Sequence, residues 1–155
     1  MELGEAEVDG ITDEQYERLS AALLGSGLEL IDNKRAMLIE RIKGLIVEMV
    51  HYEDELPRTK NSGYISGKLH YDYTYLSNLF SEATGSTIEQ FIIMHKIERV
   101  KELIIYDELN LTEIASKLNY SSVSHLSNQF KKITGLTPSF FKSLKNNRRN
   151  TLENM

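Results

Sequence analysis

Apolar residues recur along most of this chain at the spacing of amphipathic α-helices. A long helix is predicted from Asn33 to about Tyr52, because apolar positions repeat at intervals of three and four residues with charged residues opposite. The apolar stripe of this helix consists of Leu38, Ile39, Ile42, Leu45, Ile46, Met49 and Val50. Pro57 and the polar residues after it predict a loop. From residue 33 onward the pattern predicts seven helices, with no strand between residues 62 and 148.

The first 32 residues carry a different pattern. Residues 2–8 alternate crudely between polar and apolar positions, and residues 28–31 form a short apolar run, so each segment predicts a strand. A capping-box pattern at Thr12 begins a helix between them, which is expected to end at Gly25. The resulting β-α-β appendage over residues 1–32 is too small to form its own core. It packs on the rest, pairs with a second copy or is a remnant of a larger sensing domain; we expect a homodimer.

An internal repeat is the most informative feature of the chain. Residues 65–71 match residues 114–120 at isoleucine, lysine, leucine and tyrosine positions. After a one-residue difference in the turn, residues 76–91 match residues 126–141 at eight of sixteen positions. The segment is therefore a duplicated unit.

Each copy of the repeat predicts a short helix, a tight turn and a second helix that ends at a glycine. The second helix of the later copy presents short polar side chains and is flanked by lysines. An α-helix of this kind fits the major groove of B-DNA, where polar side chains reach base edges and lysines meet phosphates. Two helices joined by a tight turn, the second of this kind, are typical of a helix-turn-helix. The duplication strengthens that interpretation.

Charge is distributed unevenly along the chain, whose net charge is -5. Residues 1–56 hold fourteen acidic and five basic residues, a net of -9, whereas residues 57–155 hold nine acidic and thirteen basic residues, a net of +4. Between Ile114 and Arg149 there are seven basic residues and no acidic one. This asymmetry indicates an acidic appendage on a basic domain that faces an anion.

Several classes of function find no support in the sequence. With no cysteine, the chain cannot form disulfides, thiolate zinc sites or a cysteine nucleophile. Its four histidines are scattered, and no HExxH, GxSxG or glycine-rich phosphate loop is present, so we expect no enzyme, metal or cofactor. The N-terminus has no secretory pattern, and charges interrupt the most apolar stretch, so no membrane segment and a cytoplasmic location are expected.

The second copy resembles the C-terminal signature of the AraC/XylS family of bacterial transcription regulators. The matching residues are Ile114, Ala115, Tyr120, Phe130, Lys131, Lys132, Gly135, Thr137, Pro138 and Phe141. With the first copy and the linker helix from Thr87 to about Tyr106, the resemblance covers about ninety residues. It implies a mainly α fold in which two helix-turn-helix units joined by a linker helix form a DNA-binding domain over residues 33–148. A disordered tail is expected over residues 149–155.

The resemblance also implies which residues meet double-stranded DNA, and it implies contact with RNA polymerase. The implied base contacts are Tyr73, Thr74, Ser77 and Asn78 in the first copy and Val123, Ser124, His125 and Asn128 in the second. The implied phosphate contacts are Lys96, Lys131, Lys132 and Lys142. The chain has Asn119 where the family usually has glycine and Leu126 where phenylalanine is common. Asn78 and Asn128 stand where relatives often carry arginine, so guanine recognition is not implied there.

Two further interpretations stay open. A protein-interaction module that keeps the helix-turn-helix fold without DNA affinity is favoured by the acidic N-terminal half and the missing arginines. The order of residues 1–32 also resembles the latter half of a ferredoxin-like domain of the heavy-metal-associated type. That domain's metal-binding cysteine pair is absent here, so no metal role is expected.

Overall fold

The computed structural model describes residues 13–52, 56–57 and 60–153, which form seven helices and no strand. The helices are α1 (Asp13–Val47), α2 (Asn61–Leu69), α3 (Tyr73–Thr84), α4 (Ile88–Tyr106), α5 (Leu111–Lys117), α6 (Val123–Thr134) and α7 (Pro138–Glu153). A π-helical turn, Glu48–Tyr52, follows α1 directly. The prediction of helices alone between residues 62 and 148 is therefore confirmed.

Helix α1 corrects the prediction for the N-terminal segment. Residues 28–31, predicted as a strand, are helical, and the helix continues through the Gly-Ser-Gly at residues 25–27. A glycine inside a helix costs only about 1 kcal/mol relative to alanine, and the surrounding leucine, alanine and glutamate residues favour helix. The strand predicted at residues 28–31 is therefore wrong, whereas the residues from Asp13 to Leu24 are helical as predicted. The predicted strand at residues 2–8 and the predicted cap at Thr12 lie outside the described residues.

The chain divides into two compact units, Met1–Glu40 and Arg41–Met155. The boundary predicted at residue 32 lies inside α1. A homodimer through the appendage requires exposed strand edges, and residues 13–32 offer none because they are helical. The likeness to a ferredoxin-like domain loses its support for the same reason.

Helix α4 is the centre of the second unit. It packs against the π-helical turn, α3, α6 and α7. Helix α2 packs on α3, and α5 packs on α6. We call α2 with α3 the first pair and α5 with α6 the second pair. The structure thus confirms two helix-turn-helix pairs joined by a linker helix.

The two pairs bury the same positions of the repeat. Four buried hydrophobic positions of the first pair have a buried counterpart of the same residue type in the second. These counterparts are Ile65 and Ile114, Leu69 and Leu118, Leu76 and Leu126, and Phe80 and Phe130. Because these four positions match, the two pairs present corresponding faces to solvent.

Left-handed residues close the helices of both pairs. Gly85 and Gly135 end α3 and α6 with φ angles of 73° and 82°, a region that side chains other than glycine adopt only with strain. In the turns within the pairs, His70 and Asn119 have φ angles of 60° and 59°. Asparagine tolerates this geometry, so its presence in place of the family's usual glycine fits the turn.

The C-terminal end corrects one further prediction. Helix α7 continues to Glu153, so the disordered tail predicted from residue 149 is wrong for residues 149–153. After Pro138 the helix contains no proline and no glycine, and its sequence therefore carries no stop signal. Residues 154–155 lie outside the described part of the chain.

Candidate nucleic-acid interface

Helix α6 carries four of the predicted base contacts. The Ser122 side chain caps the helix by accepting a hydrogen bond from the backbone N–H of His125 at 3.0 Å. Leu126 and Phe130 are buried beneath α6. On its outer side the predicted contacts Ser124, His125 and Asn128 are exposed, whereas Val123 is half-buried.

Helix α3 carries the other four. Asp72 caps it by accepting from the backbone N–H of Thr74, and its apolar side is buried. Thr74 and Asn78 are exposed, whereas Tyr73 and Ser77 are half-buried. We call α3 and α6, which carry the predicted base contacts, the reading helices.

Asn78 and Asn128 occupy equivalent positions on the two reading helices. Both side chains are exposed, and neither amide has a hydrogen-bond partner within the described part of the chain. An asparagine amide both donates and accepts, which matches the adjacent N6 donor and N7 acceptor of adenine in the major groove. The structure therefore leaves the same chemistry available at the same place on both helices.

The four predicted phosphate contacts differ in their surroundings. Lys131 and Lys132, in the last turn of α6, are exposed and form no ion pair with any described residue. The ammonium of Lys142 lies 2.9 Å from a carboxylate oxygen of Asp107. The ammonium of Lys96 lies 4.6 Å from the ring centroid of Tyr120, and burial lowers its pKa. The structure thus gives two of the four lysines partners within the protein.

A family model described as a helix-turn-helix domain matches residues 65–143. This range begins inside α2, covers the rest of both pairs and α4, and accounts for half of the chain. The chain belongs to the AraC-type helix-turn-helix family.

Curated relatives of the AraC-type chain carry the same domain type in their names. The HTH-type transcriptional regulator YtdP of Bacillus subtilis is 26% identical over 106 residues, which cover 68% of this chain and 14% of YtdP. The HTH-type transcriptional regulator YfiF of the same organism is 27% identical over 112 residues, covering 72% of this chain and 35% of YfiF. The chain therefore spans only a part of these relatives' length.

Solved structures share the AraC-type fold. The C-terminal domain of the response regulator AraT from Geobacillus stearothermophilus superposes with a TM-score of 0.60 at 20% identity, covering 69% of this chain and 84% of that domain. The DNA-binding domain of AdpA, solved in complex with a target DNA, superposes with a TM-score of 0.61 at 17% identity, covering 72% and 96%.

Tyr73 has a contact in the AraC-type domain that the sequence did not indicate. Its hydroxyl donates to a carboxylate oxygen of Glu89, in the first turn of α4, at 3.0 Å. Burial and the neighbouring Glu89 carboxylate raise the pKa of Tyr73 to about 12. Tyr73 therefore ties the first reading helix to the linker helix, and this contact depends on how α3 packs against α4.

His125 also has neighbours within the AraC-type domain. Its Nδ1 atom lies 3.2 Å from the Ser121 hydroxyl oxygen, and its ring meets the Tyr120 ring edge-on with centroids 5.1 Å apart. These contacts orient the imidazole at the start of α6, and its Nε2 atom has no partner among the described residues. The side chain is thus held in place with one nitrogen available.

Two histidines that are far apart in sequence are in contact between the π-helical turn and α4. Nε2 of His51, in the π-helical turn, lies 2.9 Å from Nδ1 of His95 in α4. Burial, together with the nearby His51, lowers the pKa of His95. A carboxylate oxygen of Glu102 lies 3.8 Å from the other ring nitrogen of His51. The pair joins the π-helical turn to the linker helix, and no local sequence signal marks it.

The described part of the chain offers neither a metal site nor a membrane-spanning helix. There, no group of three or more histidine, cysteine, aspartate or glutamate side chains is arranged to hold a metal ion. No described helix combines the length and the apolar composition needed to cross a membrane.

Proposed function

We propose that the chain binds double-stranded DNA and regulates transcription, with α3 and α6 lying in two successive segments of the major groove. The observation that carries this proposal is the pair of exposed, unpartnered amides of Asn78 and Asn128. They stand at equivalent positions of two reading helices that both bury a leucine and a phenylalanine, Leu76 and Phe80 in α3 and Leu126 and Phe130 in α6. Base-reading chemistry is thus repeated on the two faces that the fold leaves open.

The proposed base contacts are the eight residues Tyr73, Thr74, Ser77, Asn78, Val123, Ser124, His125 and Asn128. The asparagines pair with adenine, and the hydroxyls and the imidazole donate to or accept from base edges. The half-buried Val123 suits the methyl group of thymine. The Tyr73 hydroxyl is bound to Glu89, so contact with a base requires Tyr73 to share that hydrogen bond or to break it.

Among the lysines, we propose Lys131 and Lys132 as the main phosphate contacts. Both stand at the end of the second reading helix without an ion-pair partner in the described chain. Lys96 and Lys142 would have to leave or share their partners Tyr120 and Asp107 to neutralise a phosphate. Each neutralised phosphate releases counterions, so these lysines set the salt dependence of binding.

The relatives support the proposal at the level of their names. YtdP and YfiF are named HTH-type transcriptional regulators, and the AdpA domain that shares this fold was solved with a target DNA. Because the chain spans only part of the curated relatives, regulation of transcription is proposed for it by extension. Contact with RNA polymerase stays a prediction, and we propose no catalytic role.

Selection of binding sites from random duplex with the full chain, followed by methylation interference, tests the proposal. We expect an enriched motif with two contacted major-groove segments whose centres lie about 10–10.5 base pairs apart. One contacted segment alone would leave DNA binding intact and contradict reading by both helices. Failure to enrich any motif would contradict sequence-specific DNA binding.

A second function, a protein-interaction module without DNA affinity, is favoured by one observation. Helix α3 contains no lysine or arginine and includes Glu82, which is unusual for a surface that approaches phosphates. Binding of random duplex at low salt separates the two functions, because any helix-turn-helix that uses Lys131 and Lys132 retains non-specific affinity there.

A further inference from the structure

We propose that Tyr71 and Tyr75 hold the DNA backbone beside the first reading helix by uncharged contacts. The first reading helix and the turn before it would then bind DNA through aromatic rings and hydroxyls, whereas the second reading helix binds through lysines. This inference rests on the proposed DNA-binding function and concerns how the two pairs differ in their contacts with the DNA backbone.

The two tyrosines form one exposed aromatic surface. Their ring centroids lie 5.7 Å apart with an interplanar angle of 25°, so the rings are stacked. Tyr71 is 45% exposed and Tyr75 is 47% exposed. The Ser66 hydroxyl donates to the backbone carbonyl of Tyr71 at 2.6 Å, which fixes the turn that presents the ring. The hydroxyls of both tyrosines have no partner among the described residues.

The repeat shows that the exposure of Tyr71 is particular to the first pair. Tyr120 is the counterpart of Tyr71, yet it is only 6% exposed, and its hydroxyl donates to Gln129 at 2.6 Å. The counterpart of Gln129 in α3 is Leu79, which is buried and offers no hydrogen-bond acceptor. A hydroxyl buried without a partner costs about 1–3 kcal/mol. Tyr71 therefore lies outside the core, where a packing role does not explain it.

The charges of the first reading helix explain why such contacts are needed. Helix α3 has no basic residue, and Asp72, Glu82 and Glu89 stand on or beside it. A reading helix still needs backbone contacts to set its register in the groove. Tyrosine hydroxyls donate to phosphate oxygens without carrying charge, and ring faces pack on deoxyribose.

The position of the tyrosines next to the proposed base contacts favours DNA as their ligand. Tyr75 lies on α3 next to Thr74 and one turn from Asn78, and Tyr71 comes just before the cap of the same helix. Their surface is therefore continuous with the proposed base contacts of α3. Any duplex in which Asn78 reads a base brings a sugar-phosphate strand past the start of this helix.

Fluorescence anisotropy of the full chain with its selected duplex and a scrambled duplex, across a salt series, tests the inference. Tyr71→Ala and Tyr75→Ala should each weaken binding to both duplexes by roughly 2- to 10-fold, the value of one hydrogen bond. The slope of log affinity against log salt should not change, because no charge is lost. Tyr71→Phe and Tyr75→Phe should restore the part of the binding affinity that the aromatic ring supplies. Tyr106→Ala, which removes an exposed tyrosine at the end of α4, should bind like the parent chain.

The outcomes separate this inference from the proposed function. If both alanine variants bind like the parent while Lys131→Ala binds more weakly, the tyrosines are not contacts and DNA binding stands. Loss of binding to the selected duplex alone would make them base readers and overturn a backbone role. A changed salt slope would overturn the uncharged mode of contact. If the parent chain binds neither duplex, both proposals fall.

Discussion

The ammonium of Lys96 faces the ring of Tyr120, 4.6 Å from its centroid. Lys96 lies in α4 and Tyr120 lies in the turn before α6. A lysine implied by family resemblance to meet phosphate thus contacts the turn of the second pair. A half-buried ammonium over an aromatic face gains cation–π attraction and loses hydration. Its position distinguishes it from the exposed lysines of α6.

Substitution of these lysines should therefore change the salt dependence of DNA binding unequally. Lys131→Ala removes an exposed, unpaired charge and should reduce the slope of log affinity against log salt by about 0.9. Lys96→Met keeps the length of the side chain and should leave the slope nearly unchanged, because its ammonium is held over Tyr120. Anisotropy titrations in a salt series measure both slopes. Equal reductions by the two variants would show that Lys96 also neutralises a phosphate.

Asn128 should determine specificity rather than general affinity. Asn128→Ala removes a group that both donates to and accepts from adenine, and it should cost about 1–3 kcal/mol on the selected site and little on scrambled duplex. Asn146→Ala, an exposed asparagine of α7, is the matched control and should change neither. Competition titrations give the ratio of the affinities for the selected and the scrambled duplex. If Asn128→Ala leaves this ratio unchanged, Asn128 is excluded as a base reader.

Two glycines of the domain should respond in opposite directions to alanine. Gly135 has a φ angle of 82°, so Gly135→Ala should lower the free energy of unfolding by about 1–2 kcal/mol. Gly67 lies exposed inside α2 with nothing within 4 Å of an added Cβ atom. Gly67→Ala should raise the free energy of unfolding by about 0.5–1 kcal/mol. Urea unfolding measures both, and a stabilising Gly135→Ala would contradict the left-handed cap.

Local signals in the sequence account for most of the fold. Leu126 and Phe130 lie four residues apart on one face of a helix, and both are buried. Asn119 suits a left-handed turn, and it has a φ angle of 59°. The failure at residues 25–27 has a physical cause, because glycine and serine permit a helix as well as a break. Turn signals alone do not decide between these outcomes when the flanking residues favour helix.

The exposed polar positions of the candidate site could be predicted from the sequence, but the contacts between its helices could not. The polar positions Thr74, Asn78 and Asn128 are exposed, as helix periodicity predicts. The Tyr73–Glu89 hydrogen bond and the Lys142–Asp107 ion pair depend on how separate helices pack on α4. Such contacts have no local pattern, and they redefine which lysines and tyrosines are available to a ligand.

The contact between His51 and His95 should make stability depend on pH. The folded pKa of His95 is lowered below its ordinary value of 6.5, by burial first and then by His51, while Glu98 opposes the shift. Between the folded and the ordinary pKa the unfolded chain binds the proton that the folded chain rejects. Stability is therefore full above about pH 6.5 and falls as the pH drops through the folded pKa. Glu102 and Arg99 are the other charged groups around this contact.

Thermal unfolding between about pH 7.5 and 5.5 checks this expectation. His95→Gln should lose less stability over that interval than the parent chain, because it removes the group that titrates. His70→Asn is the control, since His70 is exposed and asparagine tolerates its left-handed backbone. The stability of this control should change with pH in the same way as that of the parent chain. Identical pH profiles for His95→Gln and the parent would contradict the assigned shift.

Binding of duplex DNA by the full chain, with an affinity that charge controls, is the central requirement of the proposed function. Anisotropy of a labelled duplex, titrated from about 50 to about 300 mM salt, measures this in one experiment. We predict binding at low salt and a linear fall of log affinity with log salt, with a slope near -0.9 for each phosphate neutralised. Lys131 and Lys132 together should account for about two units of that slope. Absence of binding at low salt, or an affinity independent of salt, would contradict the assignment of α3 and α6 as DNA-reading helices.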